Sequence, residues 1–142
     1  MTNESGAIAA WRTPSRPSWA SLSQRVNDIR GLELLLLFES RARGTGTASA
    51  DWDFGYIGDA SMDVDALLAA LVEATGSDRV DLVDLTRAGG LLRHRAAQDG
   101  RVIFEARHGT TDLFRLEATR FWCDVAPVLE RAYGDVLAEL KR

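Results

Sequence analysis

Lysine, cysteine, histidine and proline are all scarce in this 142-residue chain. Lys141 is its one lysine, against sixteen arginines, and it has one cysteine, two histidines and three prolines. A single cysteine, Cys123, excludes an internal disulfide framework and any multi-cysteine metal centre. It suits a reducing, cytoplasmic setting and is expected as a small buried apolar residue. His94 and His108 lack zinc-ligand spacing and are expected at the surface. The chain also lacks a basic excess. Seventeen Lys+Arg face twenty-one Asp+Glu, a net charge of −4, which argues against direct nucleic-acid binding. Long apolar runs are missing. The strongest aliphatic run, Leu34 to Phe38, falls far short of the ~20 residues that span a bilayer, and the polar N-terminus has no signal-type core. No membrane association is expected. Gly44-Thr45-Gly46-Thr47 lacks the Gly-Lys-Ser/Thr of a P-loop. Neither a G-x-G-x-x-G fingerprint nor a G-x-S-x-G elbow occurs.

What remains is an uneven acidic chain with 46% hydrophobic residues, enough for one folded domain. Between Ala48 and Asp84 nine acidic residues face Arg79 alone, giving −8, so the rest of the chain carries +4. Residues 1–18, with Pro14 and Pro17, form the expected flexible arm, and 19–142 form the domain. Leu22, Val26 and Ile29 share one face of a short helix over 19–30, stopped by Gly31. Glu33 to Phe38 is an apolar run that reads as a strand buried on both faces. A turn or short helix and a Gly/Thr/Ser loop follow. In the next strand, Asp51 to Ile57, alternation places Asp51 and Asp53 opposite Trp52, Phe54 and Tyr56. Ser61 to Thr75 is helical, with Asp59 and Ser61 as capping candidates. In the strand Arg79 to Leu85, Asp81 and Val83 alternate with Leu82 and Asp84. A short helix over 88–98 and a strand from Val102 to Ala106 follow. From Asp112 onward apolar residues repeat every three to four positions, and Pro127 is expected to kink this segment or start a second helix. That stripe either packs on the sheet or, in its distal half, docks a partner.

The chemistry concentrates at Asp51-Trp52-Asp53. Carboxylates two apart on one strand lie within about 7 Å of each other and repel unless a cation sits between them. Mg²⁺ is commonly held by one or two carboxylates, with phosphates and water completing its shell. A third carboxylate on a neighbouring strand would suit phosphoryl or nucleotidyl transfer, and Asp81, framed by Val80 and Leu82, fits that role. Asp84 is the rival, but on the opposite strand face.

The ordered set Leu37-Phe38-Glu39-Ser40-Arg41-Ala42-Arg43-Gly44, then Asp51-Trp52-Asp53, then Val80-Asp81-Leu82 resembles the minimal nucleotidyltransferases of the DNA polymerase β superfamily. These are small bacterial and archaeal proteins often paired with a HEPN-domain RNase in toxin–antitoxin operons. Their hallmark is an apolar strand ending in L-F-G-S-x-A-x-G, then S-D-x-D, then a later strand with an aspartate between apolar residues. The likeness covers about residues 22–107. It implies a polymerase β-like α/β (α+β) fold, a small mixed sheet packed by helices, with a long C-terminal helical segment at 112–142. By the resemblance, Ser40 and the nearby backbone, including Gly44, hold the nucleotide phosphates, and Arg41 and Arg43 neutralise their charge. Asp51, Asp53 and Asp81 bind Mg²⁺ and carry catalysis. The implied reaction moves AMP from ATP to a hydroxyl, a tyrosine on a partner HEPN toxin, with which the chain would form a hetero-oligomer. Two positions depart from the pattern: Glu39 replaces the glycine before the serine, and Ala50 replaces the serine before D-x-D. Glu39 puts a Cβ and a negative charge where the backbone must approach phosphates. That leaves open a second reading, an antitoxin that neutralises its toxin by binding alone. A third, transfer to a small molecule such as an antibiotic, is disfavoured because no extra substrate-binding domain is present.

Overall fold

A computed structural model describes residues 18–38 and 52–140. Eight elements follow in chain order: α1 (Trp19–Val26), β1 (Leu32–Leu37), β2 (Trp52–Gly58), α2 (Val64–Thr75), β3 (Val80–Asp84), α3 (Gly90–Asp99), β4 (Arg101–Glu105) and α4 (Thr110–Leu140). The four strands form one mixed sheet in the order β3-β2-β1-β4. β1 is antiparallel to both its neighbours, whereas β2 and β3 run parallel, joined by the α2 crossover.

The leucine run explains the central place of β1. A strand hydrogen-bonded on both edges and covered on both faces must be apolar throughout. Leu34 to Leu37 are all buried, and Glu33, at the end that opens to solvent, is exposed. Alternation divides the run between two cores. Leu35 and Leu37 pack with Phe54, Tyr56, Leu22, Val26, Leu67 and Leu71 under α1 and α2. Leu34 and Leu36 pack with Leu85, Ala96, Ala97, Phe114 and Ala118 under α3 and α4.

The helices carry ordinary local signals. Ser18 caps α1 by accepting from the Ser21 amide at 3.3 Å, and Gly31, at φ 82°, makes the turn into β1. The cap of α2 is Asp63, which accepts from the Ala66 amide at 3.1 Å. Asp59 and Ser61, expected to cap that helix, instead close the preceding turn: Asp59 Oδ1 accepts from the Ser61 amide at 2.8 Å and from its hydroxyl at 2.5 Å. The local reason is that an Asp two residues before a Ser forms this turn on its own.

The C-terminal segment starts at Thr110, slightly before the expected Asp112, and is a single 31-residue helix with Pro127 inside it; no second helix begins there. Its first two turns lie on the sheet, where Thr111, Phe114 and Ala118 are buried. Its start is held by β4, because Glu105 Oε1 accepts from the Thr111 amide at 2.9 Å. A carboxylate there satisfies an otherwise unpaired amide and faces the positive end of the helix dipole.

The Thr111 amide holds the Glu105 carboxyl below the usual carboxylate range, and the Ser61 hydroxyl and amide do the same for Asp59. Both folded-state values are depressed, so the stability they contribute is fully present above the ordinary carboxyl range. It is lost as pH falls through the depressed values. Chemical melts from pH 7 down to pH 3 should show falling stability, and Glu105→Gln should flatten part of that fall. An unchanged slope in that variant would show that the Glu105 cap contributes nothing.

Candidate functional site

The strand ends bring the two described aspartates of the motifs together. The Phe38 amide donates to the Asp53 carbonyl at 2.8 Å as β1 ends, and the Trp52 amide donates to the Arg79 carbonyl at 2.8 Å as β2 enters the sheet beside β3. In the parallel pair, Asp53 stands opposite Asp81. Neighbouring strands are about 4.8 Å apart, so these two carboxylates leave the same face side by side. The face is set by packing. Trp52, Phe54 and Tyr56 take the α1/α2 side, which sends Asp53 and Gly55 to the other.

Asp53 and Asp81 open onto a cleft of about 490 Å³ whose walls include Phe38, Val83, Leu92 and Arg95. Its floor depends on a missing side chain. A Cβ on Gly55 would lie 2.9 Å from the tip of the Phe38 ring and 3.0 Å from both Leu85 methyls. Glycine therefore lets Phe38 and Leu85 close against the strand, and Phe38 becomes a wall of the cleft.

Asp84 is elsewhere. It stands opposite Tyr56, on the face away from the cleft. Its Oδ1 accepts from the Thr86 amide at 2.9 Å and hydroxyl at 2.6 Å, and Arg87 lies 3.7 Å from its other oxygen. Burial, then the Asp84 carboxylate, push the Tyr56 phenol up, so that hydroxyl stays protonated at neutral pH.

Of the residues expected at the site, Asp53 and Asp81 lie together. Ser40, Arg41, Arg43, Gly44 and Asp51, with Glu39 and Ala50, fall outside the described residues. Among the described residues no group of three or more His, Cys, Asp or Glu side chains is placed to hold a metal. Two in-register carboxylates beside a cleft supply hard oxygen donors of the kind Mg²⁺ takes, and they fit a site completed by phosphate and water.

Two residues of the cleft were not singled out in sequence. Leu92 and Arg95, three apart on α3, both reach it. The Arg93-His94-Arg95 run was a visible signal, but its helical phase toward the sheet was not. His94, expected at the surface, is half-buried and stacks on Trp122 of α4 with ring centroids 5.2 Å apart, because α3 packs along α4. His108 is exposed, as expected. Cys123, expected in the core, is exposed. It lies beyond Ala118, where α4 no longer lies on the sheet. Phe121, Val128, Leu129, Tyr133 and Val136 are exposed along the same stretch. Among the described residues no helix is long and apolar enough to cross a membrane.

Gly55→Val should push against Phe38 and Leu85, costing about 1–3 kcal/mol in urea denaturation despite valine's better strand propensity. Unchanged stability would mean that the cleft floor is not close-packed.

Residues 22–108 match the family described as Polymerase beta, Nucleotidyltransferase. The chain is 31% identical over 118 residues to the protein adenylyltransferase MntA of Aphanizomenon flos-aquae, covering 73% of this chain and 78% of that protein. Its fold matches that of a chain from a toxin–antitoxin crystal structure with AMP-PNP, with a TM-score of 0.70 and 24% identity, over 84% of this chain and 98% of the other. It also matches a chain from the complex of tri-AMPylated Shewanella oneidensis HEPN toxin with MNT antitoxin, with a TM-score of 0.62 and 21% identity, over 84% and 99%. The in-register aspartates, the mixed sheet that presents them and a match spanning most of the chain place this protein in the polymerase β nucleotidyltransferase family.

Proposed function

We propose that this chain is an antitoxin of the nucleotidyltransferase type that transfers AMP from ATP to a hydroxyl, a tyrosine, on a HEPN-domain toxin and so silences it. The observation that carries this reading is the pairing of Asp53 with Asp81 on adjacent parallel strands above a shared cleft. The similarity to a protein adenylyltransferase supports the nucleotide and the reaction type. Fold likeness to chains from toxin–antitoxin complexes supports the partner.

In this reading Asp53 and Asp81, with Asp51 two residues ahead, hold Mg²⁺. When bound, the ion would supply positive charge against that of the triphosphate. The Asp81 carboxylate accepts the acceptor's hydroxyl proton. The freed oxygen bonds to the α-phosphorus, the α–β phosphoanhydride bond breaks, and pyrophosphate leaves. Ser40 and the backbone through Gly44 cradle the phosphates, with Arg41 and Arg43 offsetting their charge. Glu39 opposes that work and sets the rate below what glycine would allow.

Intact-mass measurement of the toxin after incubation with ATP, Mg²⁺ and this protein checks the reaction. One added AMP group per modified tyrosine is expected. Asp53→Asn should lower transfer by at least about 100-fold, the scale of losing a transition-state electrostatic contact, and Glu39→Gly should raise it. Suppressed toxin with no mass increase would overturn the enzymatic reading.

A second reading, neutralisation by binding alone, is favoured by the apolar stripe along the distal half of α4. A face of that kind gains by being covered. Tyr133, 69% exposed, contributes nothing to the core of the chain alone. Tyr133→Glu should therefore leave the thermal midpoint unchanged and weaken co-purification with the toxin. An unweakened complex would place the interface elsewhere.

A further inference from the structure

Among the described residues that line the cleft, Arg95 is the one cation; the charged groups it shares the cleft with are Asp53 and Asp81. It is exposed on α3 and makes no ion pair among the described residues. An arginine beside two carboxylates would ordinarily be drawn into a salt bridge with one of them. Here the guanidinium stays apart, on the helix wall, while the carboxylates stand on the sheet wall.

The position of that helix wall is well determined. Arg93 lies over the Phe114 ring at 5.9 Å and His94 stacks on Trp122, so the residues flanking Arg95 are committed to α4. Gly90, at the start of α3, leaves the space that the Phe121 ring fills. Helical phase then turns Leu92 and Arg95 to the cleft. Apolar neighbours, Phe38, Val83 and Leu92, border the charged walls of the cleft.

We infer that Arg95 binds the triphosphate of the incoming nucleotide from the α3 wall of the cleft. The inference rests on the nucleotidyltransferase reading and adds a residue to it. Two carboxylates repel a triphosphate, and a divalent ion between them at most cancels their own charge, leaving that of the triphosphate to be matched from another wall. A planar guanidinium across the cleft supplies the missing positive charge and takes phosphate oxygens in a two-pronged bond. Arg95 is thus a binding residue set opposite the metal-binding wall.

Calorimetric titration of the full chain with AMP-PNP and with adenosine, each with Mg²⁺, tests this. Losing one charge-assisted contact costs about 10-fold in affinity. Arg95→Gln should weaken AMP-PNP by that factor and leave adenosine binding unchanged, with Arg95→Lys intermediate. In the transfer assay KM for ATP should rise while kcat changes little. If Arg95→Gln binds AMP-PNP as tightly as wild type, the inference is overturned. It is also overturned if adenosine loses affinity equally, since Arg95 would then shape the cleft rather than contact phosphate. A wild-type chain that binds neither ligand would overturn the nucleotidyltransferase reading itself.

Discussion

The architecture hangs on burying one short strand on both faces and along both edges. β1 contributes leucines alternately to the α1/α2 core and to the α3/α4 core, so each layer of helices is keyed to the same six residues. Its antiparallel partner β2 inherits that alternation. With Phe54 and Tyr56 drawn into one core, Asp53 has one direction left to point. The site is therefore a by-product of hydrophobic register. A one-residue slip between β1 and β2 would bury the carboxylate and expose the aromatics, at a cost of several kcal/mol from the lost aromatic burial alone. Strand register alone thus sends Asp53 to the cleft face.

The second constraint is electrostatic. The α2 crossover makes β3 parallel to β2 and stands Asp81 next to Asp53. Placing like charges on adjacent strands works against folding unless something else compensates. Among the described residues that line the cleft, the one cation comes from the next part of the chain. The −8 stretch that supplies these aspartates ends at Asp84, and α3 with its arginines follows directly. The chain folds back so that Arg95 comes to the cleft from the opposite wall. Acidic sheet wall and basic helix wall thus come from consecutive parts of the sequence. Contacts such as His94 on Trp122 set their spacing without using a charge.

How much of this could be read in advance follows from which signals are local. The leucine run, the Trp52/Phe54/Tyr56 alternation and the apolar face of α2 are local, and each element was foreseen to within a few residues. The face assigned to Asp53 followed from the same alternation. Asp81 was expected on a neighbouring strand, and it stands directly opposite Asp53; that exact register depends on strand order, and strand order depends on where α2 lies. The direction in which Arg95 faces depends on packing in a similar way. In a ten-residue helix with little amphipathic contrast, the phase toward the sheet is decided by partners such as Phe114 and Phe121. Cys123 was expected in the core from cysteine's general tendency, and His94 at the surface because it lacks metal-ligand spacing. Neither argument says how far a helix follows its sheet, and α4 leaves its sheet after Ala118, which exposes Cys123. The α3/α4 contact that continues beside it half-buries His94. Ser40, Arg41, Arg43 and Gly44, read from the resemblance, and Asp51, read also from strand alternation, lie outside the described residues.

That departure gives α4 two parts with different physical roles. The proximal turns hold Phe114 and Ala118 against β1 and carry the Glu105 cap, so they belong to the domain. The distal turns repeat apolar residues that the domain never covers, yet the helix continues through Pro127, which removes one backbone hydrogen bond there. A helix half in water, interrupted by a proline and carrying exposed Val128, Tyr133 and Val136, is poorly supported by the domain alone. Its stripe becomes favourable only when a second surface takes it up. The same helix supports the wall that carries Arg95, through Trp122 and Phe121. One helix thus joins the exposed stripe to the element that lines the cleft.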